Sequence, residues 1–171
     1  MPEATRRLFF ALWPDDRVRR DIIERREALG RVSRRRVPDH NLHLTLVFLG
    51  DQPGERLAAF EEVAGKIEQG ACTLELDRFG WFPRARVAWL GGDAPEALGE
   101  LQGVLWRRMV GLGVRLDERP FRPHVTLFRQ VLRRPRMPVP EPLIWPIGDF
   151  VLVESIPGSP YRVLRRWALK A

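Results

Sequence analysis

The pattern His-x-Thr-Leu occurs twice, at His43–Leu46 and His124–Leu127, in a chain with only three histidines. Each copy sits in an apolar run, and each is approached through a basic, proline-containing stretch, Arg36-Val37-Pro38 before the first and Arg119-Pro120 before the second. A motif repeated with its surroundings about 80 residues later predicts two related halves rather than one irregular chain. Side chains alternate along a strand with period two, so a histidine and a threonine two positions apart share one face. If the two motif strands lie side by side about a pseudo-twofold axis, two imidazoles and two hydroxyls converge on one cleft.

The rest of the pattern fits that scheme. Leu8–Trp13 reads as a buried strand stopped by Pro14, and Asp15 is placed to cap a helix that runs to Gly30 with Val18, Ile22, Ile23 and Leu29 on one side. Residues 31–41 are basic, contain Pro38 and read as a loop. Leu42–Leu49 is the first motif strand, closing at Gly50, and Leu57, Phe60, Val63, Ala64 and Ile67 repeat at helical spacing up to Gly70. The second half offers strands over Thr73–Trp81 and Arg86–Leu90 joined by a turn at Pro83. A helix over Pro95–Leu112 and the motif strand His124–Val131 follow. Pro135–Pro146 holds five prolines and reads as a long loop, with a flap as the alternative. Phe150–Ser155 and Arg162–Leu169 close the chain as strands.

Imidazole is the one side chain whose unperturbed pKa, about 6.5, lets it give and take protons near neutral pH. Paired imidazoles with paired hydroxyls suit a phosphodiester: one ring deprotonates the attacking oxygen, the other protonates the leaving oxygen, and the hydroxyls bond the non-bridging oxygens, with no metal. His40, three residues before His43, would point to the opposite face of an extended strand. It therefore reads as a loop residue and not as part of a three-histidine zinc site. Arg129 lies five residues after His124, so strict alternation puts it on the wrong face, and a phosphate-binding role requires the strand to bend. Phe10, in an apolar strand, reads first as core, with stacking on a base as the alternative.

A net charge of +7 and a pI near 11.0 favour an anionic partner, nucleic acid first, although genome composition or heat adaptation explains an arginine excess equally well. Cys72 is the only cysteine, so an intrachain disulfide is excluded and a reducing cytosol is the expected setting. The first apolar run is too short for a signal-peptide core, and no stretch approaches the length of a membrane span.

The chain resembles the two-histidine phosphoesterase superfamily, and within it the bacterial and archaeal RNA 2′,3′-cyclic phosphodiesterases, also called 2′-5′ RNA ligases. The resemblance runs through Arg7–Leu12, Asn41–Gly50, Arg86–Gly91, Arg119–Arg129 and Tyr161–Leu169. It implies an α+β fold of two pseudo-symmetric lobes, each an antiparallel sheet with helices packed outside, forming one two-lobed domain over residues 1–171 with the active-site cleft between the lobes. It implies catalytic His43 and His124, and substrate contacts from Thr45, Thr126 and Arg129, to which Phe10 is added from the strand reading. No cofactor is implied. The expected reaction opens an RNA 2′,3′-cyclic phosphate to a 2′-phosphomonoester, with His124 as base and His43 as acid or the reverse; some family members also join tRNA halves reversibly. A cytoplasmic monomer acting on RNA ends completes the expectation. Two alternatives stay open: a phosphodiesterase for small cyclic nucleotides or ADP-ribose cyclic phosphate, and an RNA-binding module without catalysis.

Overall fold

A computed structural model describes residues 4–171. In chain order the elements are β1 (Thr5–Leu12), α1 (Asp16–Leu29), β2 (Arg35–Arg36), β3 (Leu44–Pro53), α2 (Leu57–Gly65), β4 (Cys72–Leu76), β5 (Arg78–Phe82), β6 (Val87–Gly91), α3 (Glu96–Gly111), β7 (His124–Arg129), β8 (Leu143–Ile147), β9 (Asp149–Ser155) and β10 (Arg162–Ala168). The main sheet runs β10-β9-β1-β3-β7-β6-β5 with antiparallel pairing throughout, β2 adds to β7, and β4 pairs with β8 in a separate ribbon. The fold is α+β with two lobes. One carries β10, β9, β1 and β3; the other carries β7, β6 and β5.

The lobes join along the motif strands. β3 and β7 pair only at Leu44 and Val125, the residues that immediately follow the two histidines, so this single pairing marks the pseudo-twofold axis. On either side the order repeats: β1 flanks β3 with Leu12 opposite Leu44, and β6 flanks β7 with Leu90 opposite Val125. One face of the sheet presents Leu8, Phe10, Leu12, Leu44, Leu90, Val125 and Leu127 to Val18, Ile22, Phe60, Leu98, Leu101, Leu105 and Met109 of the helices, making one core across both lobes. The other face is left to the site.

Local chemistry explains the elements. Asp15 caps α1 by accepting the Val18 amide at 2.8 Å, and Gly30 ends the helix at φ +82, a conformation open to glycine. Three of the differences from the periodicity reading bear on the layout, beside the short β2 inside the expected 31–41 loop and the earlier ends of α2 at Gly65 and β7 at Arg129. β3 runs on to Pro53, because Gly50 at φ +72 absorbs a register shift instead of ending the strand. The segment 73–81 is two strands, not one, since the chain changes sheets at Asp77: Leu76 pairs in the ribbon and Arg78 in the main sheet. The proline-rich segment becomes strand at Leu143–Ile147, and Pro146 is accommodated because the ribbon has only two strands. Arg25 of α1 donates to the Glu141 and Pro142 carbonyls at 3.0 and 3.1 Å, which ties this segment to the helix layer. Among the described residues no helix is long and apolar enough to cross a membrane.

Candidate active site

His43 lies one residue before β3, where a 3₁₀ turn at Asp39–Asn41 delivers the chain to the sheet. Two arginines of α1 hold that approach. Arg19 donates to the Asp39 and Leu42 carbonyls at 2.6 and 3.1 Å. Arg26, 1% exposed, donates to the Val37 carbonyl at 2.7 Å and to the Asp39 carboxylate. The imidazole Nδ1 donates to the Asn41 carbonyl at 2.7 Å. A carbonyl only accepts, so in the neutral ring Nε2 keeps its lone pair, which takes a hydrogen bond from the Thr45 hydroxyl at 2.9 Å. Phe9 and Tyr161 pack on the ring at 4.8 and 5.3 Å between centroids, and Trp13 stacks on it at 5.7 Å.

The second lobe repeats the device. Nδ1 of His124 donates to the Arg122 carbonyl two residues upstream, again at 2.7 Å, and Phe82 and Trp89 pack on the ring at 5.1 and 6.0 Å. Gly80 and Gly91 leave the space that the Trp89 indole fills, since a Cβ at either would overlap the ring. Burial lowers both imidazole pKa values. For His43 the positive charges of Arg129, His124 and Arg19 add to burial and bring it down to about 4, while the bond to Asn41 opposes them. His43, Thr45, His124 and Thr126 are all partly exposed, whereas Leu44, Leu46, Val125 and Leu127 between them are buried. The structure therefore gathers the twin motif onto one face at the seam.

Arg129 reaches the same side by a route that alternation misses. Trp89 pairs with Thr126 and Ala88 with Phe128, so Leu127 is an extra residue in β7. That bulge puts Leu127 and Phe128 both inward and returns Arg129 outward, close enough for its charge to be felt at His43. β3 has a matching bulge at Leu46, between the Thr45 and Val47 pairings, so Phe48 holds the position corresponding to Arg129. Phe48 is 48% exposed, and the Arg7 guanidinium lies over it at 5.0 Å.

Phe10 requires correction. It is fully buried, 6.3 Å from Phe150 and 6.1 Å from Trp167 between ring centroids, on the helix side of the sheet, where no base can reach it. Its neighbour Phe9 faces the site instead. His40 is exposed on the 3₁₀ turn. Sequence reasoning did not single out Phe9, Trp13, Asn41, Phe82, Trp89 or Tyr161. The period-two rule could have suggested Trp89, but Tyr161 comes from a distant segment with no local signal. Its amide donates to the Asn41 side chain at 3.0 Å, which joins it to the His43 turn.

Residues 14–154 match the model of the 2′-5′ RNA ligase superfamily. The RNA 2′,3′-cyclic phosphodiesterase of Escherichia coli K12 is 36% identical over 170 residues, covering 95% of this chain and 96% of that protein. The enzyme of the same name from Thermus thermophilus is 33% identical over 179 residues, covering 96% and 90%. Among solved structures, E. coli LigT complexed with 3′-AMP superposes with a TM-score of 0.91 at 35% identity, covering 98% of this chain and 99% of that one.

Proposed function

Because the chain belongs to the 2′-5′ RNA ligase superfamily and is an enzyme of the RNA 2′,3′-cyclic phosphodiesterase kind, we propose that His43 and His124 act as its acid–base pair. The reading rests on one observation above all. Two imidazoles flank the Leu44–Val125 pairing, each fixed by the same 2.7 Å bond from Nδ1 to the carbonyl two residues before it. That bond leaves Nε2 of each ring as the acceptor, which at His43 the substrate takes over from the Thr45 hydroxyl.

In the proposed reaction one ring takes a proton from water as the water oxygen attacks phosphorus. The bond from phosphorus to the ribose 3′-oxygen breaks, the other ring protonates that oxygen, and a 2′-phosphomonoester remains. Thr45, Thr126 and Arg129 bond the non-bridging oxygens. A 5′-hydroxyl in place of water would give a 2′-5′ linkage by the same proton transfers. No metal enters, so chelator-treated enzyme keeps its activity. Resemblance makes His124 the base and His43 the acid. The charge of Arg129, which lowers His43 further than burial alone, favours the reverse order in the free enzyme.

The test is an oligoribonucleotide ending in a 2′,3′-cyclic phosphate, with the product identified and each histidine replaced by alanine in turn. Each replacement is expected to cost roughly 10² to 10⁴ in rate, and the wild-type profile is expected to be bell-shaped in pH with values belonging to the pair. Because burial lowers both imidazoles, the bell lies on the acid side of neutrality, and a 3′-phosphate product, or a rate with only one limb between about pH 3 and 8, overturns the scheme. A cyclic substrate carrying sulfur at the 3′ bridging position needs no protonated leaving group, so it rescues only the variant that lacks the acid.

A further inference from the structure

The twin motif uses one arginine, Arg129, and leaves most of the chain's basic charge unexplained. Beyond Arg129 the structure brings together segments that are distant in sequence. Arg31 and Arg34 follow α1, Arg86 ends the β5–β6 turn, and Arg133, Arg134 and Arg136 follow β7. All six line one groove of about 1000 Å³. The groove lining contains no Asp or Glu, and among the described residues none of these six guanidiniums forms an ion pair. Six like charges gathered without counterions repel one another, and an anionic occupant relieves the repulsion.

The groove adjoins Arg129 in the chain and in the sheet. Gln130, the residue after Arg129, is part of its lining; Ser33 donates to the Arg129 carbonyl at 2.6 Å; and Arg35 of β2 pairs with Arg129 in the sheet. Its backbone is also unusual. Among the described residues the only non-glycine positions with positive φ are Arg86 at +58 and Gln130 at +54, and both line this groove. The Val131 amide donates to the Arg86 carbonyl at 2.9 Å and couples the two turns. Conformations of this kind persist only where surrounding structure holds them, and they gather at binding sites.

We infer that this arginine groove is an extended subsite for the sugar-phosphate backbone of the RNA substrate, running from Arg129 between the 31–34 and 133–136 segments. The inference rests on the phosphodiesterase reading and adds a consequence to it, a preference for oligonucleotides over mononucleotides. Guanidinium groups suit the task, since each offers a planar fork for phosphate and a face for a base to stack on.

The test compares two substrates, a nucleoside 2′,3′-cyclic phosphate and a 12-mer oligoribonucleotide with the same terminus, across wild type, Arg31→Gln/Arg34→Gln and Arg133→Gln/Arg134→Gln/Arg136→Gln. Circular dichroism and urea midpoints establish that each variant is folded. The ratio of kcat/KM for the 12-mer to that for the mononucleotide is expected to fall at least tenfold in the triple variant, through KM. The slope of log Kd against log salt, measured by fluorescence anisotropy with a 3′-phosphorylated 12-mer, is expected to flatten by about 0.7 for each phosphate that the variant no longer neutralises. An unchanged ratio together with an unchanged salt slope overturns the inference. If wild type turns over neither substrate, the catalytic reading fails, and the anisotropy series still decides the groove.

Discussion

Burial, the Arg129 guanidinium and the second imidazole all act on His43 in the same direction and together bring its pKa down to about 4, while the ring in an unfolded chain titrates near 6.5. Below about pH 6.5 the unfolded chain therefore binds more protons than the folded one. The stability associated with a neutral His43 is fully present above that value and is lost as the pH falls toward 4, by up to about 3 kcal/mol at 1.36 kcal/mol per unit. His124, lowered by burial, adds with the same sign. Urea midpoints between pH 7 and 4.5 should show a shallower decline in His43→Gln than in wild type. Thr45, bonded to that ring at 2.9 Å, and Thr126 in the matching position should each cost about 1.5 to 3 kcal/mol of transition-state stabilisation when replaced by alanine, a ten- to hundredfold loss in kcat/KM. The two histidines and two threonines were legible because a repeated motif carries its own control. The choice between Phe9 and Phe10 was not, because every residue from Leu8 to Leu12 is apolar and alternation has no polar face to fix its phase.

Secondary structure was most legible where a cap or a period stood alone, as in α1 with its Asp15 cap, and least where a strand changes partner. Nothing local marks Asp77 as a crossing between sheets, and nothing local marks Leu127 as a bulge, yet that extra residue decides which way Arg129 points. The helix layer supports the site through single side chains. Arg26 in the last turn of α1 is buried with its guanidinium on Val37 and Asp39, and that bond holds the Asp39 carboxyl below its usual range. Arg26→Met should remove those bonds and destabilise by about 1–3 kcal/mol, read as a urea midpoint, while Arg26→Lys should recover part of the loss. Across the seam, Gly80→Ala should force Trp89 off its seat beside His124. Its intrinsic tryptophan fluorescence is expected to shift together with a fall in turnover, and unaltered fluorescence would contradict the packing described.

At the scale of the whole molecule, the core beneath the sheet draws on all three helices and both lobes, and α3 packs against β3 while α1 reaches β6 and β8. Unfolding should therefore be one transition, with fluorescence and far-ultraviolet dichroism giving the same midpoint. The duplicated plan was visible in the sequence, but the membership of the lobes was not, because pairing partners are set by contacts that skip most of the chain. The strand order β10-β9-β1-β3-β7-β6-β5 makes this concrete. Strands β5, β6 and β7 lie within residues 78–129 and can zip together as soon as they leave the ribosome. By contrast, Arg7 must find Ser155, a closure that waits for nearly the entire polypeptide and carries the entropy of a long loop. Pulse-labelled hydrogen exchange during refolding should protect Leu90 and Val125 before Phe9 and Val153. During synthesis the lobe with His124 is free to close first. His43, although made earlier, stays open on one side until Tyr161 arrives to wall it in.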